Sequence, residues 1–318
     1  MSSFLRILLV GAGQIGSRHL QALASVDSVT EVVAVDPSDS SLHRAKSLWL
    51  ETKGSSYKTL SLVSSLDQLS GTFDLCILAT NSSHRFELLK SVIRLGIKYI
   101  LAEKVLFQSL HQLSKSLELC NSWTVKLFPN YVYRYVQPWR NVRQLLDNSA
   151  FNFDVCSGDI GLATNLPHWL DLVEYVSSSN LNELSITLND SPYPSKRGGD
   201  LIDFAGHAKG STTNGTKFHI FCQGDFRPPI FKLSTQNSTC TLDELDLTIA
   251  GDLLPECLSF HQPMVSKITS QAVIDILNDR TVLPDLSDTF SMNSLFLSAL
   301  GSALYGASFS SDTCIPVT

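Results

Sequence analysis

Gly11-Ala12-Gly13-Gln14-Ile15-Gly16 has the spacing of a loop that cradles a pyrophosphate, and Asp36 stands twenty residues after its last glycine. In such a loop the first glycine allows a tight turn and the second lets the backbone approach the phosphates. The third lets the following helix pack closely on its strand. The free N–H groups and positive dipole end of that helix then face the anion. An acid at the end of the second strand bonds the adenine ribose hydroxyls and would repel a 2′-phosphate. Pro37 and Ser38 add no compensating cation, so these residues point to NAD(H) over NADP(H).

Oxidising an alcohol with such a cofactor needs a group that takes the hydroxyl proton while hydride leaves the carbon; reduction needs the reverse donor. Lys104 and His168 are the two candidates. Lys104 follows Glu103 at the carboxyl end of a predicted parallel strand, where ligands bind in open α/β sheets. Glu103 is placed to hold the backbone or the lysine. His168 follows Asn165 and Pro167, a capping residue and a proline suited to a helix's first turn. Spacing of three and seven puts His168, Asp171 and Tyr175 on one side of that helix, so His168 and Asp171 both point into a cleft. Trp169, Val173 and Val176 pack elsewhere, and the imidazole titrates near neutrality.

Other residues carry two readings each. Arg134 and Arg140 could bind a carboxylate or phosphate through their planar forks, or lie exposed. His19 is equally a helix-surface residue or a cofactor contact. Tyr131, Tyr133 and Tyr135 are core or interface, and Ser195 to Asp200 reads as a mobile or hairpin turn.

The elements that must position these residues alternate. Phe4–Val10 reads as a buried parallel strand ending at a glycine, followed by a helix from Gln14. Strands follow at Val32–Val35, weakly near Tyr57, at Phe73–Ala79 and at Ile97–Ala102. Helices are expected around Leu42–Leu50 and over Leu110–Leu117. Another carries Phe86, Leu89, Val92 and Ile93, with Asn81 as its cap and Gly96 at its C′ position. Strands separated by single helices imply a doubly wound parallel sheet, a Rossmann domain of the α/β class. Further on, short strands bounded by turn residues are expected at 151–156, 183–188, 217–222, 230–233 and 245–249. Helices are plausible over 135–148, 167–177, 265–278 and 288–306, the last two able to wrap back towards the first domain.

The whole chain supports this reading. Its 318 residues suggest two domains, and 43% hydrophobic against 17% charged residues is enough for a sizeable core. A net charge of −6 gives no reason to expect nucleic acid. Phe4–Val10 is too short to cross a bilayer, and no cleavage site follows it. Seven scattered cysteines without a C-x-x-C pair suggest reduced thiols in a cytoplasmic protein, and no metal site is indicated.

Several separated motifs resemble the Gfo/Idh/MocA oxidoreductases. Gly11–His19 is similar to the family's opening, and Ala79-Thr80-Asn81-Ser82-Ser83-His84 to its fourth-strand segment near the nicotinamide and ribose. Glu103-Lys104 resembles the end of its fifth strand, usually Glu-Lys-Pro. Asn130 and Arg134 before Pro138 resemble the start of its second domain, and His168-Trp-Leu-Asp171 its H-x-x-D helix. The tail Ile315–Thr318 resembles members from surface-polysaccharide and sugar-modification pathways.

The resemblance implies a Rossmann domain over 1–122 and an α+β domain over 123–318 with an open, mostly antiparallel sheet. That sheet would carry the contacts of a homodimer or homotetramer. It implies hydride transfer between a nicotinamide and a carbinol or carbonyl carbon of a sugar, polyol or nucleotide sugar. Gly11, Gly13, Gln14, Ile15, Gly16, Asp36, Thr80, Asn81, His84 and Glu103 would serve the cofactor. Lys104 and His168 would be catalytic, and Asn130, Arg134, Thr164, Asn165 and Asp171 would serve the substrate. Two positions depart from the pattern. Thr164 stands where many members carry an Asp, and Val105 replaces the proline, removing a rigid constraint and loosening the loop. These departures motivate the alternative of a non-catalytic NAD(P)-binding regulatory or scaffold protein. A third reading is a member that recycles a tightly held NAD in glycoside cleavage or epimerisation.

Overall fold

A computed structural model of the chain describes residues 4–146, 148–189, 191–253, 258–259 and 265–318. Two compact units divide it: Met1–Phe107, Ser114–Asn130 and Pro263–Asp288 form the first, and Gln108–Leu113, Tyr131–Gln262 and Thr289–Thr318 the second.

The first unit is built on six parallel strands: β1 (Leu5–Val10), β2 (Val29–Val35), β3 (Thr59–Val63), β4 (Leu75–Leu78), β5 (Tyr99–Ala102) and β6 (Lys126–Pro129). Their order is β3-β2-β1-β4-β5-β6, the doubly wound arrangement in which the strand order reverses beside β1. Ile7, Leu8, Leu9, Leu75, Cys76, Ile77 and Leu78 are fully buried. Such strands have no polar face, which is why they read as unbroken apolar runs. The crossover helices are α1 (Gln14–Ala24), α2 (Asp39–Leu50), α3 (Arg85–Arg94) and α4 (Leu110–Trp123). A later helix, Val265–Leu277, belongs to this unit and packs on α1, where Ser270 donates to the Ala22 carbonyl at 3.0 Å.

The weak strand expected near Tyr57 is a 3-10 turn at Ser55–Tyr57, and the strand follows it as β3. Asn81 does not cap α3. Its Oδ1 accepts from Ser83 at 2.7 Å within a 3-10 turn, and α3 begins at Arg85. Gly96 does take the left-handed conformation after α3, with φ +78°.

The second unit carries α5 (Gln137–Leu146), β7 (Asn152–Ser157), α6 (Leu162–Ser177), β8 (Leu181–Leu188), β9 (Tyr193–Pro194), β10 (Ile202–Asp203), β11 (Gly206–Thr212), β12 (Lys217–Cys222), β13 (Ile230–Ser234), β14 (Thr239–Asp243), β15 (Thr248–Ala250) and β16 (Leu258–Ser259). In helix order, Val265–Leu277 is α7, and α8 (Leu286–Tyr305) follows. Eight strands form one sheet in the order β16-β15-β14-β13-β7-β12-β11-β8, and β9 pairs with β10 separately. Among the described residues, only the β7–β12 pairing of the large sheet is parallel. Phe218, Ile220 and Cys222 of β12 are buried while Lys217, His219 and Phe221 are not, the two-residue period of a one-sided sheet. Trp139 of α5 packs on Phe231 at 5.1 Å and on Phe153 at 6.0 Å between ring centroids. Residue 147, in the expected 135–148 helix, and Cys257 lie outside the described residues. No described helix is long and apolar enough to cross a membrane.

Candidate functional site

The Gly11–Gly16 loop joins β1 to α1 in a shape that only glycine permits at two of its positions. Gly11 has φ +94°, and a Cβ on Gly16 would stand 1.8 Å from the Gly11 carbonyl oxygen. A Cβ on Gly13 would meet nothing within 4 Å, so the outer side of the turn is open. α1 starts at Gln14 with no side-chain cap and no acid in its first turn. Its first N–H groups are therefore available to an anion. This geometry fits a dinucleotide pyrophosphate.

Asp36, just after β2, accepts from the Ala12 N–H at 2.7 Å and from the Ser38 N–H at 2.9 Å. It thereby ties the loop to the second strand, while each carboxylate oxygen keeps acceptor capacity for a hydroxyl. Gln14 and Ile15 are exposed and half-buried, Thr80 is half-buried, and Asn81 and His84 are exposed.

Glu103 and Lys104 follow β5, the neighbour of β4. Both are buried, at 6% and 5% exposure. His19 is neither on the surface nor a free cofactor contact. It is fully buried, with Nε2 3.0 Å from Glu103 Oε1 and Nδ1 2.8 Å from the Thr269 hydroxyl. A carboxylate only accepts, so Nε2 carries a proton. Asn130, at the end of β6, donates Nδ2 to the same Glu103 oxygen at 2.7 Å. Burial by itself would raise the Glu103 pKa. The His19 hydrogen bond and charge, the Lys104 charge and the Asn130 hydrogen bond outweigh it and hold the carboxyl far below its usual range. Glu103 is thus an ionised anchor beside Lys104, joining α1, β5 and β6.

The loop after Lys104 is not loosened by Val105. Val105 and Leu106 are 2% and 1% exposed, and Arg85 Nη1 donates to both of their carbonyls. Arg85 Nη2 donates to the Thr80 carbonyl. Neither Arg85 nor His19 stood out in the sequence as a partner of these loops, because charged residues at helical spacing usually read as surface.

In the second unit the helix bearing His168 begins earlier than expected. α6 starts at Leu162, so Asn165 is not its cap, Pro167 lies inside it, and His168 is in its second turn. Asn165 instead donates to the Ile160 and Gly161 carbonyls, each at 2.9 Å. The capping carboxylate comes from Asp203 of β10, which accepts from the Ala163 N–H at 2.8 Å and from the Thr164 hydroxyl at 2.5 Å. Gly161 makes room for it, since a Cβ there would lie 2.1 Å from Asp203 Oδ2. A carboxylate therefore does stand against position 164, supplied by another strand. Burial raises the Asp203 pKa.

His168 is half-buried, its ring edge-on to Tyr131 and Tyr133 with centroids 6.0 Å away in each case. Asp171 does not face a cleft. It is fully buried, and Arg134 grips it from Nε at 3.1 and 3.0 Å and from Nη2 at 2.8 Å. The Arg134 fork is accordingly spent on Asp171 rather than held out for an anionic ligand. The Tyr175 ring lies under Arg134 and Arg143. Arg140 donates to the Arg134 carbonyl at 3.1 Å and covers Tyr135.

Glu174, one turn on, is pushed up to about 7, chiefly by burial, against the Leu181 N–H bond and with Asp171 repelling it. A carboxyl raised in the folded state contributes stability at low pH that is lost as pH rises through its folded value. Glu174→Gln keeps the acceptor for Leu181 and removes this loss. Its melting temperature should exceed that of the parent by roughly 2–4 °C at pH 8 and match it at pH 5, as thermal denaturation at the two pH values would read.

Among the described residues, no group of three or more His, Cys, Asp or Glu could hold a metal ion. Residues 5–131 match the model of an oxidoreductase family with an NAD-binding Rossmann fold. The sequence by itself matches no curated protein. Among solved structures, UDP-N-acetylglucosamine 3-dehydrogenase GnnA from Acidithiobacillus ferrooxidans is similar with a TM-score of 0.71 at 15% identity, over 95% of this chain and 99% of that one. Scyllo-inositol dehydrogenase from Lactobacillus casei, solved with NAD(H) and scyllo-inositol, gives 0.71 at 14% identity, over 95% and 97%. A super-repressor mutant of Gal80p from Saccharomyces cerevisiae gives 0.75 at 14% identity, over 96% and 97%. At these identities the shared property is the fold.

Proposed function

We propose that this chain, whose residues 5–131 match the model of the Gfo/Idh/MocA family of NAD-binding oxidoreductases, is a member of that family and an NAD(H)-dependent dehydrogenase or reductase of a sugar, polyol or nucleotide sugar. The observation that carries the reading is the open glycine turn at the carboxyl end of β1, with a buried Glu103-Lys104 pair ending β5 of the same sheet. Bound NAD(H) would supply the hydride acceptor or donor. Gly11, Gly13 and the start of α1 would hold the pyrophosphate, Asp36 the adenine ribose, and Thr80, Asn81 and His84 the nicotinamide side. Lys104 takes or gives the alcohol proton, its position set by the ionised Glu103. His168 is the second proton-handling candidate. Asn130 and Asp171 act as orienting groups through Glu103 and Arg134.

The outer face of the second unit's sheet, with His207, His219 and Phe221 half-exposed, is the surface we assign to a homo-oligomer. Light scattering would read its size.

The test is NADH and NADPH binding to the purified protein by fluorescence, followed by a screen of sugars, polyols and nucleotide sugars for nicotinamide absorbance change. Turnover on one class names the substrate. Binding without turnover across the panel favours a regulatory protein on this fold, and no binding overturns the proposal. The preference for NAD(H) has its own check. Asp36→Asn keeps acceptor geometry for Ala12 and removes the charge that opposes a 2′-phosphate. The NADPH-to-NADH ratio of dissociation constants should fall by at least about tenfold, a change of about 1.4 kcal/mol; an unchanged ratio would refute the role of Asp36.

A further inference from the structure

Arg85 is the first residue of α3, yet its side chain is fully buried. A cation at a helix N-terminus meets the positive end of the dipole, and burying a guanidinium costs desolvation. Helix stability alone therefore gives no reason for an arginine here. Its donors go to the carbonyl of Thr80, in the loop after β4, and to those of Val105 and Leu106, in the loop after β5. A planar fork can bridge two loops in one fixed geometry, which an ammonium cannot do.

We propose that Arg85 is the positioning residue that locks the Thr80 and Lys104 loops together and so shapes the nicotinamide half of the cofactor site. It supplies by hydrogen bonding the rigidity that a proline after Lys104 would supply covalently. This rests on the reading of the first unit as an NAD(H) site. The glycine turn and Asp36 do not depend on Arg85, so the two halves of the cofactor should respond differently to its loss. NADH engages both halves, whereas ADP engages only the adenine and pyrophosphate side.

Dissociation constants for NADH and ADP would be measured on wild type, Arg85→Met, Arg85→Lys and the double variant Arg85→Met/Val105→Pro. Circular dichroism and thermal melting would identify the folded fraction. In folded Arg85→Met, NADH binding should weaken at least about tenfold (about 1.4 kcal/mol) while ADP changes less than about twofold. Proline at 105 should recover part of the NADH loss, the coupling expected of two devices acting on one loop. If Arg85→Met does not fold, Arg85→Lys decides, with a smaller loss again confined to NADH.

Equal weakening of both ligands would mean that Arg85 only stabilises the domain, and would overturn the inference. Unchanged NADH affinity in a folded variant would do the same while leaving the NAD(H) reading intact. Failure of the wild-type protein to bind NADH would remove that reading and this inference with it.

Discussion

Lys104→Met should lower kcat by about 10²- to 10⁴-fold, the usual contribution of a positioned proton-transfer group, with KM for NADH nearly unchanged. Methionine matches the length of the aliphatic stem and leaves the buried volume filled, so the loss should come from the ammonium alone. Glu103 keeps its bonds to His19 and Asn130 in the variant, and the Val105 and Leu106 carbonyls keep Arg85. The backbone around position 104 therefore stays anchored. Removal of a group that acts only in the transition state lowers kcat and kcat/KM together. The measurement is steady-state turnover on the substrate class found by screening, with NADH fluorescence as the binding control. Full activity in the variant would remove Lys104 from the mechanism. Parallel loss of NADH binding would make it a cofactor-holding residue instead.

The Rossmann half was legible because its signals are local. A buried parallel strand is a run of apolar residues, a glycine turn has fixed spacing, and the acid that reads the ribose follows at a fixed distance. The same local logic placed Glu103 and Lys104 at the end of a strand. It failed where a partner comes from far along the chain. His19 meets Thr269, 250 residues away, and Thr164 meets Asp203, 39 residues away. Nothing at either end of these pairs marks the other.

Short or polar strands escaped for a different reason. β11 (Gly206–Thr212) has two glycines and a lysine among seven residues, so no apolar alternation shows, though Ala208 and Thr212 are buried. β6 is four residues long and ends in proline. The expected strand at 245–249 mixed a turn with β15, since Leu245 is 57% exposed and β14 precedes it. The local sequence places this helix over 167–177 with Asn165 as its cap, because a cap is sought among near neighbours, whereas α6 starts at Leu162 and the capping carboxylate arrives from β10.

The largest stability effect should come from Arg134→Met. Asp171 is wholly enclosed, and Arg134 is its hydrogen-bonding partner through both oxygens. Removing one member of a buried pair leaves an uncompensated charge, at a cost of about 3–5 kcal/mol. Removing both members with apolar replacements, Arg134→Met/Asp171→Leu, should recover most of that loss, because the desolvation cost disappears along with the attraction. The pH dependence gives the sign independently. Burial raises the Asp171 pKa, and Arg134 opposes the rise. Without Arg134 the folded-state value goes higher still, so the stability of the single variant should be greatest at low pH and fall as pH increases. Urea unfolding at pH 5 and pH 8 would then show a smaller deficit at pH 5 for Arg134→Met, and little pH dependence of the deficit for the double variant. An equal deficit at both pH values would mean that Asp171 stays ionised without its partner, held by other groups. A small deficit throughout would mean that the pair serves the orientation of α6 and His168 more than the stability of the fold.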